Sequence, residues 1–522
     1  MDPQAFDSHR RVFLLASAVA AASAAASLVS CASPQGMQRP RGSGEGLGEN
    51  TGGDRSATRK TSATTTTATT STTAKPAPSG QAAAEPAGAT PKDQAAASEP
   101  VVDPAKIQPP VERPVPPTSE PAIRVKTGGL PKAEPKVQIS GPGPSVWIVE
   151  PGSQRAGVVA QSPVEFAWTG SGWKVTEAAG SKRAKVVAVP ARATLEVTAL
   201  RNEPQWLKVR ATKWPGTVRL IPQVATTAAA PEMLVDIVHE VPMETYLSGV
   251  IARELFNKWT VNTHQAQAIA ARSWALCEIE RWRDRRHFDV VAGEAGQAWI
   301  GTTAHQKSLD AVAATRGRVL LYDARVVPAY YSSCCGGQRA SARDAISSSL
   351  LHDIAPLQVS KGDAKDCCSS SPTYRWRSTV GVAGFERALP AWARVEGLPA
   401  LCTLNGIRRV DILARNPAGR PVSFNITDAK GTVRSVPAER LRYALNADPA
   451  KPTEMRPAKD RVKSANFEPL VLAGELVITG RGHGHGVGMC QYGAEAMAKK
   501  GAKPEVILAR YYPGAIVASS YS

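Results

Sequence analysis

Four glycines at every second position, Gly482, Gly484, Gly486 and Gly488, are the strongest constraint this chain places on its own fold. Neither a regular strand nor a regular helix accommodates that density. Glycine loses the most conformational freedom on folding and offers no side chain to pack. The alternation suits a loop whose backbone comes close to another backbone or to a ligand. The stretch reads GRGHGHGVGMCQYGAEAMAKK from Gly480 to Lys500, so a helix-like run follows the glycines. His483 and His485 lie inside it. An H-x-H pair points to a metal site, but on an extended segment both rings share one face and no third ligand is near in sequence.

A second segment, VPMETYLSGVIARELFNKWTVNTHQAQAIAARSWAL from Val241 to Leu276, reads as two helices joined by a short turn. Leu247, Val250, Ile251 and Glu254 fall at i, i+3, i+4 and i+7 and share one stripe. A carboxylate on an apolar stripe is costly unless it is paired or protonated. Desolvation raises its pKa, which is what a general acid working near neutral pH requires. The other reading is a glutamate at the end of the stripe that reaches solvent or pairs with Arg253 or Arg272.

Together the two segments resemble the family of sporulation stage II protein D and the amidase enhancers (SpoIID/LytB). The family's VPxExYLxGVxxxE helix is matched by Val241 through Glu254, and its AxxAQAxAARxxAL helix by Gln265 through Leu276. Its GxGxGHGxGMxQxGA loop is matched by Gly480 through Ala494. Tyr331-Ser332-Ser333-Cys334-Cys335-Gly336-Gly337 is similar to the family's S-x-x-GG segment, and Tyr374-Arg375-Trp376 to a later Tyr-x-Trp. The three main motifs occur in the family's order across residues 230 to 515. The resemblance implies an α+β, SpoIID-like catalytic domain with a helical pair and β-rich segments. It also implies peptidoglycan chemistry, in which a lytic transglycosylase cleaves between N-acetylmuramic acid and N-acetylglucosamine, prefers denuded strands and leaves a 1,6-anhydro-muramyl end. Glu254 maps onto the family's catalytic acid. The substrate-contacting set carried over with it is Gln297, Ser332, Ser333, Arg481, His483, His485 and Gln491, with the glycine loop bringing His485 to the sugar or to Glu254. One carboxylate suffices for this reaction because the sugar's own C6 hydroxyl is the nucleophile, whereas ordinary glycosidases need two.

The chain departs from the pattern in places. Family members carry a cysteine-and-histidine zinc site after the second helix. Here that stretch, His287 to Gly301, has one histidine and no cysteine, although Gln297 is kept. No zinc is carried over, and no metal or other cofactor is expected. His483 stands where an aromatic residue is common, and Cys490 where a serine is.

The N-terminal segment sets the expected compartment. Basic His9, Arg10 and Arg11 precede an apolar, alanine-rich run from Val12 to Val29, which ends at Leu28-Val29-Ser30-Cys31. This resembles a lipoprotein signal covering residues 1–30, with Cys31 as the lipid-bearing residue. An uncleaved anchor is the alternative, since about eighteen apolar residues span a bilayer marginally. The Arg-Arg start also resembles a twin-arginine signal. In either case the rest of the chain is expected in the cell envelope, outside the cytoplasm and tethered to membrane. Residues 31–140, rich in Thr, Ala and Pro, are expected as a disordered linker, because they bury too little apolar surface to offset backbone entropy. A tether of that length reaches roughly 50–60 Å. Residues 141–229 read as β-rich, with short strands near Val146–Val149, Val164–Trp168, Ala184–Val189, Leu195–Val197 and Trp206–Val209. Their tryptophans suit either sugar stacking or a small core. A further β-rich insertion is expected over about 379–437, inside the 230–515 domain.

Net charge is +18, which favours polyanionic partners such as anionic lipid or wall polymer. No nucleic-acid motif appears, and export argues against nucleic acid. The cluster Arg281, Arg283, Arg285 and Arg286 reads as a solvated helix end. Of the eight cysteines, Cys334-Cys335 and Cys367-Cys368 form vicinal pairs. In an oxidising envelope, disulfides between the pairs are expected. A four-thiolate zinc site is set aside because successive side chains diverge. Three functions stay open: a transglycosylase using Glu254, a non-catalytic glycan-binding module that stimulates a cell-wall amidase, and a structural wall-binding lipoprotein.

Overall fold

In the computed structural model, residues 112–522 are described apart from 152–156, 188–192, 202–203, 226–231, 294–295, 348, 361–367 and 453. The expected signal segment, Cys31, Cys367 and most of the expected linker lie outside the described residues. Among the described residues no helix is long and apolar enough to cross a membrane.

Period-two alternation builds the first half. One sheet orders the strands Val290–Val291, Ala122–Gly129, Glu232–Pro242, Thr217–Ala225, Leu195–Ala199, Ser145–Val149 and Val158–Gln161. A second orders Thr212–Pro215, Trp206–Val209, Lys136–Ser140, Val164–Trp168, Trp173–Glu177 and Lys185–Val187. Val146, Ile148, Val197, Val218 and Leu220 of the first meet Ile139, Val164, Phe166, Leu207 and Val209 of the second in one core. Each such buried aliphatic contributes about 1.5–3 kcal/mol. Trp168 and Trp173 belong to that core, edge to face at 5.1 Å, rather than to a sugar-facing surface.

The ordered chain starts earlier than the expected linker boundary at residue 140. Ala122–Gly129 pairs antiparallel with Glu232–Pro242, from Ala122 opposite Pro242 to Gly129 opposite Asp236. The proline-dense stretch before it is also held. Pro114 and Pro117 lend backbone carbonyls to the Val326 N–H and the Ser520 hydroxyl. Proline removes donors but not acceptors, so such a segment docks without joining a ladder.

The strand Glu232–Pro242 runs straight into the helix Met243–Glu254, and the long helix Val261–Trp282 follows. Both are buried on alanine-rich or aliphatic faces. Tyr246, Leu247, Val250 and Ile251 pack on Ile123, Val125, Val241, Ala268, Ala271 and Ala275. The other face of the long helix, Ala266, Ile269 and Ala270, packs on Val487, Met489, Cys490 and Ala494. Alanines at these positions let the glycine loop and the first helix approach from opposite sides. Arg272, fully buried, forms a two-pronged ion pair with Glu244 (Nε to Oε1 2.9 Å, Nη2 to Oε2 2.6 Å). The option of pairing Glu254 with Arg272 read from sequence is therefore corrected: Glu244, about three turns earlier on its helix, takes the arginine.

The expected β-rich insertion is a mixed lobe. Strands Arg375–Gly381, Glu475–Arg481 and Phe467–Leu472 form one sheet, and Arg409–Arg415, Pro421–Thr427 and Val433–Pro437 another. The helices Val382–Val395 and Ala438–Asn446 close the core around stacked Phe424 and Phe467. The first of these helices was not expected. Pro390 inside it reads as a breaker, yet Phe385, Leu389 and Trp392 form a buried stripe that holds it. The arginine cluster does form a helix end: Arg281 and Arg283 pair with Glu278 and Glu280, and Arg286 lies over Trp282.

Candidate active site

Glu254 is the last residue of its helix and is half-buried. The loop after the long helix is pressed onto that helix at Gly249, where a Cβ would stand 2.3 Å from the Gly301 carbonyl oxygen. This contact sets the Ala298 N–H against Glu254 Oε1 at 3.0 Å. Gln297, one residue earlier, is fixed by the Tyr246 hydroxyl (2.9 Å) and by its own amide to the Ala271 carbonyl (3.1 Å). On the other oxygen, Gln491 Nε2 approaches Oε2 at 3.2 Å and also faces Gln267 Oε1 at 3.4 Å.

Burial raises the Glu254 pKa above the ordinary carboxylate range; the Ala298 N–H, Gln491, Arg253 and Tyr331 oppose it without cancelling it. The helix terminus works in the same direction as burial, because the carbonyl end of a helix disfavours negative charge. The acid is thus kept protonated to higher pH while two donors orient it. The Tyr331 hydroxyl is buried beside Glu254 and Gln297 with no partner in good hydrogen-bond geometry, and burial holds its phenol well above the usual range. The Ser332 hydroxyl is likewise buried without a partner.

The glycine loop brings these residues together. Tyr331–Ser332 pairs in parallel with Met489–Cys490. That pairing needs Gly488, which has φ +66° and leaves no room for a side chain, since a Cβ would lie 2.0 Å from the Tyr330 carbonyl oxygen. Gly482, at φ +77°, passes the Cys334 carbonyl in the same way, with a Cβ distance of 2.4 Å. His483 exchanges backbone hydrogen bonds with Cys334. Arg481 closes the strand opposite Arg375, with its N–H on Asn466 and its carbonyl on the Ser464 hydroxyl. Ser333 lends its carbonyl to the Tyr492 N–H.

His485 does not reach Glu254. Its Nδ1 accepts the Val487 N–H at 3.0 Å, its ring meets Tyr330 edge on at 5.9 Å, and it also interacts with the Tyr331 backbone. Burial lowers its pKa to about 4, helped by Arg420 and Arg442 and opposed by Glu439. It is a neutral group that braces Tyr331, and the residue of the loop segment that does reach the acid is Gln491. Sequence reasoning missed Tyr331 as a side chain and Arg420 altogether. Arg420 comes from the mixed lobe, is buried, and donates to the Gly484 and Gln338 carbonyls and to Glu439. A lone arginine inside a strand-rich stretch carries no sequence signal for this.

Cys334, Cys335 and Cys368 are free thiols, so the expected disulfides are not formed among the described residues. Cys490, assigned no role from sequence, joins them: Cys334, Cys368 and Cys490 lie within 4.8 Å of one another.

Residues 232–322 match the sequence model of the Stage II sporulation protein family, SpoIID, and residues 357–488 that of a domain of unknown function, DUF8618. Glu254 and Gln297 thus fall in the first match and His483 and His485 in the second, with Tyr331 and Gln491 in neither. The chain is 28% identical over 307 residues to the amidase enhancer of Bacillus subtilis (strain 168), spanning 52% of this chain and 40% of that one. It is 28% identical over 293 residues to Stage II sporulation protein D of the same organism, spanning 53% and 74%. A Brachyspira hyodysenteriae protein of uncharacterised role is 26% identical over 279 residues, spanning 53% and 67%. The matched region is thus less than half the length of the amidase enhancer.

Proposed function

The chain belongs to the SpoIID/LytB family, and on that premise we propose that it is a lytic transglycosylase of cell-wall peptidoglycan. Its substrate would be glycan strands, denuded of stem peptides, cut between N-acetylmuramic acid and N-acetylglucosamine. The observation that carries this reading is Glu254: one carboxyl group, its pKa raised by burial, aimed by the Ala298 N–H and Gln491. Its proton goes to the glycosidic oxygen as the bond to C1 breaks. The C6 hydroxyl of the same muramyl residue then attacks C1, and its proton passes to the carboxylate. The ring closes as a 1,6-anhydro sugar, Glu254 returns to its starting state, and no water is consumed. Arg481, His483 and Ser333, each partly exposed at the same strand-and-loop junction, would supply donors for sugar oxygens. No cofactor takes part in this reaction.

In this reading the chain works outside the cytoplasm, lipid-anchored through Cys31, downstream of an amidase that strips the stem peptides. Likeness to the amidase enhancer favours a second reading, in which the same site binds glycan and stimulates an amidase without cutting. Incubating the full chain and its Glu254→Gln variant with denuded glycan separates the two. Cleavage lost in the variant supports the enzyme, and no cleavage by either supports the enhancer.

A further inference from the structure

We infer that Cys334, Cys368 and Cys490, with Cys335 standing against Cys368, form a thiolate site for a single soft divalent cation of the zinc class. From sequence the two vicinal pairs favour disulfides, because adjacent side chains diverge. The fold changes the problem by adding Cys490 from the end of the glycine loop. The ligands then come from three separate segments: the stretch after the Tyr331–Ser332 strand, the stretch before Tyr374, and the Met489–Cys490 strand.

Three observations converge on a metal. Tetrahedral zinc–sulfur bonds of about 2.3 Å set sulfur–sulfur edges of about 3.8 Å. Cys335 and Cys368 stand 3.7 Å apart, and Cys334, Cys368 and Cys490 all lie within 4.8 Å of one another. All four are buried, with Cys334 fully inaccessible and Cys368 and Cys490 at 1% exposure. The surroundings suit concentrated negative charge: the Cys335 N–H points at Cys490 Sγ at 3.3 Å, and buried Arg420 lies near enough to Cys335 to interact with it electrostatically. Backbone donors to sulfur and a nearby cation are what a thiolate cluster needs around it. On binding, each thiol gives up its proton and no electron changes hands. The site is separate from the His287–Gly301 segment, whose one histidine is paired with Asp236.

The placement gives the metal a task. Cys490 immediately precedes Gln491, which orients Glu254, and Cys334 follows Ser332 by two residues. A cation here would fasten the two segments that carry Tyr331 and Gln491 to each other and to the Cys368 segment.

The test is metal content and a cobalt titration of the reduced full chain, read by thiolate-to-cobalt charge-transfer absorption. Neither readout depends on glycan cleavage, so failure of this inference and failure of the proposed function are distinguishable. The expected result is one bound cation per chain and a tetrahedral thiolate spectrum. Affinity should fall at least tenfold in Cys490→Ser and Cys368→Ser, by comparison with the loss typical of outer-shell changes. Cys402→Ser, outside the cluster, should bind as wild type does. If a ligand variant fails to fold, the wild-type cobalt spectrum alone decides. Four free thiols with no cobalt spectrum would overturn the inference. So would a Cys335–Cys368 cross-linked peptide in the non-reduced protein.

Discussion

Exchanging each of two glutamates on one helix for glutamine should have opposite consequences. Glu244 is paired with Arg272, whose side chain is 0% exposed while that of Glu244 is 11%. Arg272 also donates to the Arg318 carbonyl, and Glu244 accepts the Tyr521 hydroxyl at 2.7 Å. Glu244→Gln leaves a buried guanidinium without its counter-charge, a change that costs about 3–5 kcal/mol. Glu254 is the reverse case. Its folded-state pKa is raised, so the folded protein holds that proton more tightly than the unfolded chain does. The stability this contributes is present at low pH and is lost as pH rises through the folded pKa. Glutamine mimics the protonated form, so Glu254→Gln should be as stable as wild type at pH 5 and more stable at pH 8. Urea unfolding followed by tryptophan fluorescence at both pH values measures each difference. A Glu254→Gln variant that loses several kcal/mol while Glu244→Gln stays within about 1 kcal/mol of wild type would refute the assignment of partners.

Four further outcomes follow from the same geometry. Cleavage should fall as pH rises through the Glu254 pKa, and Gln491→Leu, which removes a donor favouring the carboxylate, should shift that limb to higher pH in the pH–rate profile. His485, neutral above about 4, should not contribute to that limb, so His485→Gln should leave its position unchanged even if the rate drops. Tyr331→Phe removes a group that opposes the rise in the Glu254 pKa, so it should shift the same limb to higher pH while costing little stability, because among the described residues the hydroxyl has no partner in good hydrogen-bond geometry. Gly488→Ala should destabilise by roughly 2 kcal/mol or more, since φ +66° alone costs a side chain about 1–2 kcal/mol and the Tyr330 carbonyl blocks the Cβ; thermal denaturation reads it.

What the sequence disclosed was local. The glycine alternation announces close backbone approach, and Gly482 and Gly488 meet the Cys334 and Tyr330 carbonyls. The short strands around Val146, Val164 and Leu195 are visible because their alternation needs only neighbouring residues. What it hid was long-range. Gln491 reaches Glu254 across 237 residues of chain, and nothing near either one marks the pairing. Arg272 has acids at several spacings within reach, and only the packing of the two helices selects Glu244. Cys490 looks like a serine substitute until the parallel pairing with Ser332 sets it beside Cys334. The helix at Val382–Val395 was obscured by Pro390, a local signal overruled by the stripe it interrupts.

The central claim is that Glu254 is the single acid of a transglycosylase. The most direct measurement is mass spectrometry of the products formed from denuded glycan strands by the wild-type chain and by Glu254→Gln. The account predicts 1,6-anhydro-muramyl ends from wild type and none from the variant. Reducing ends, or anhydro ends that persist in Glu254→Gln, would contradict it.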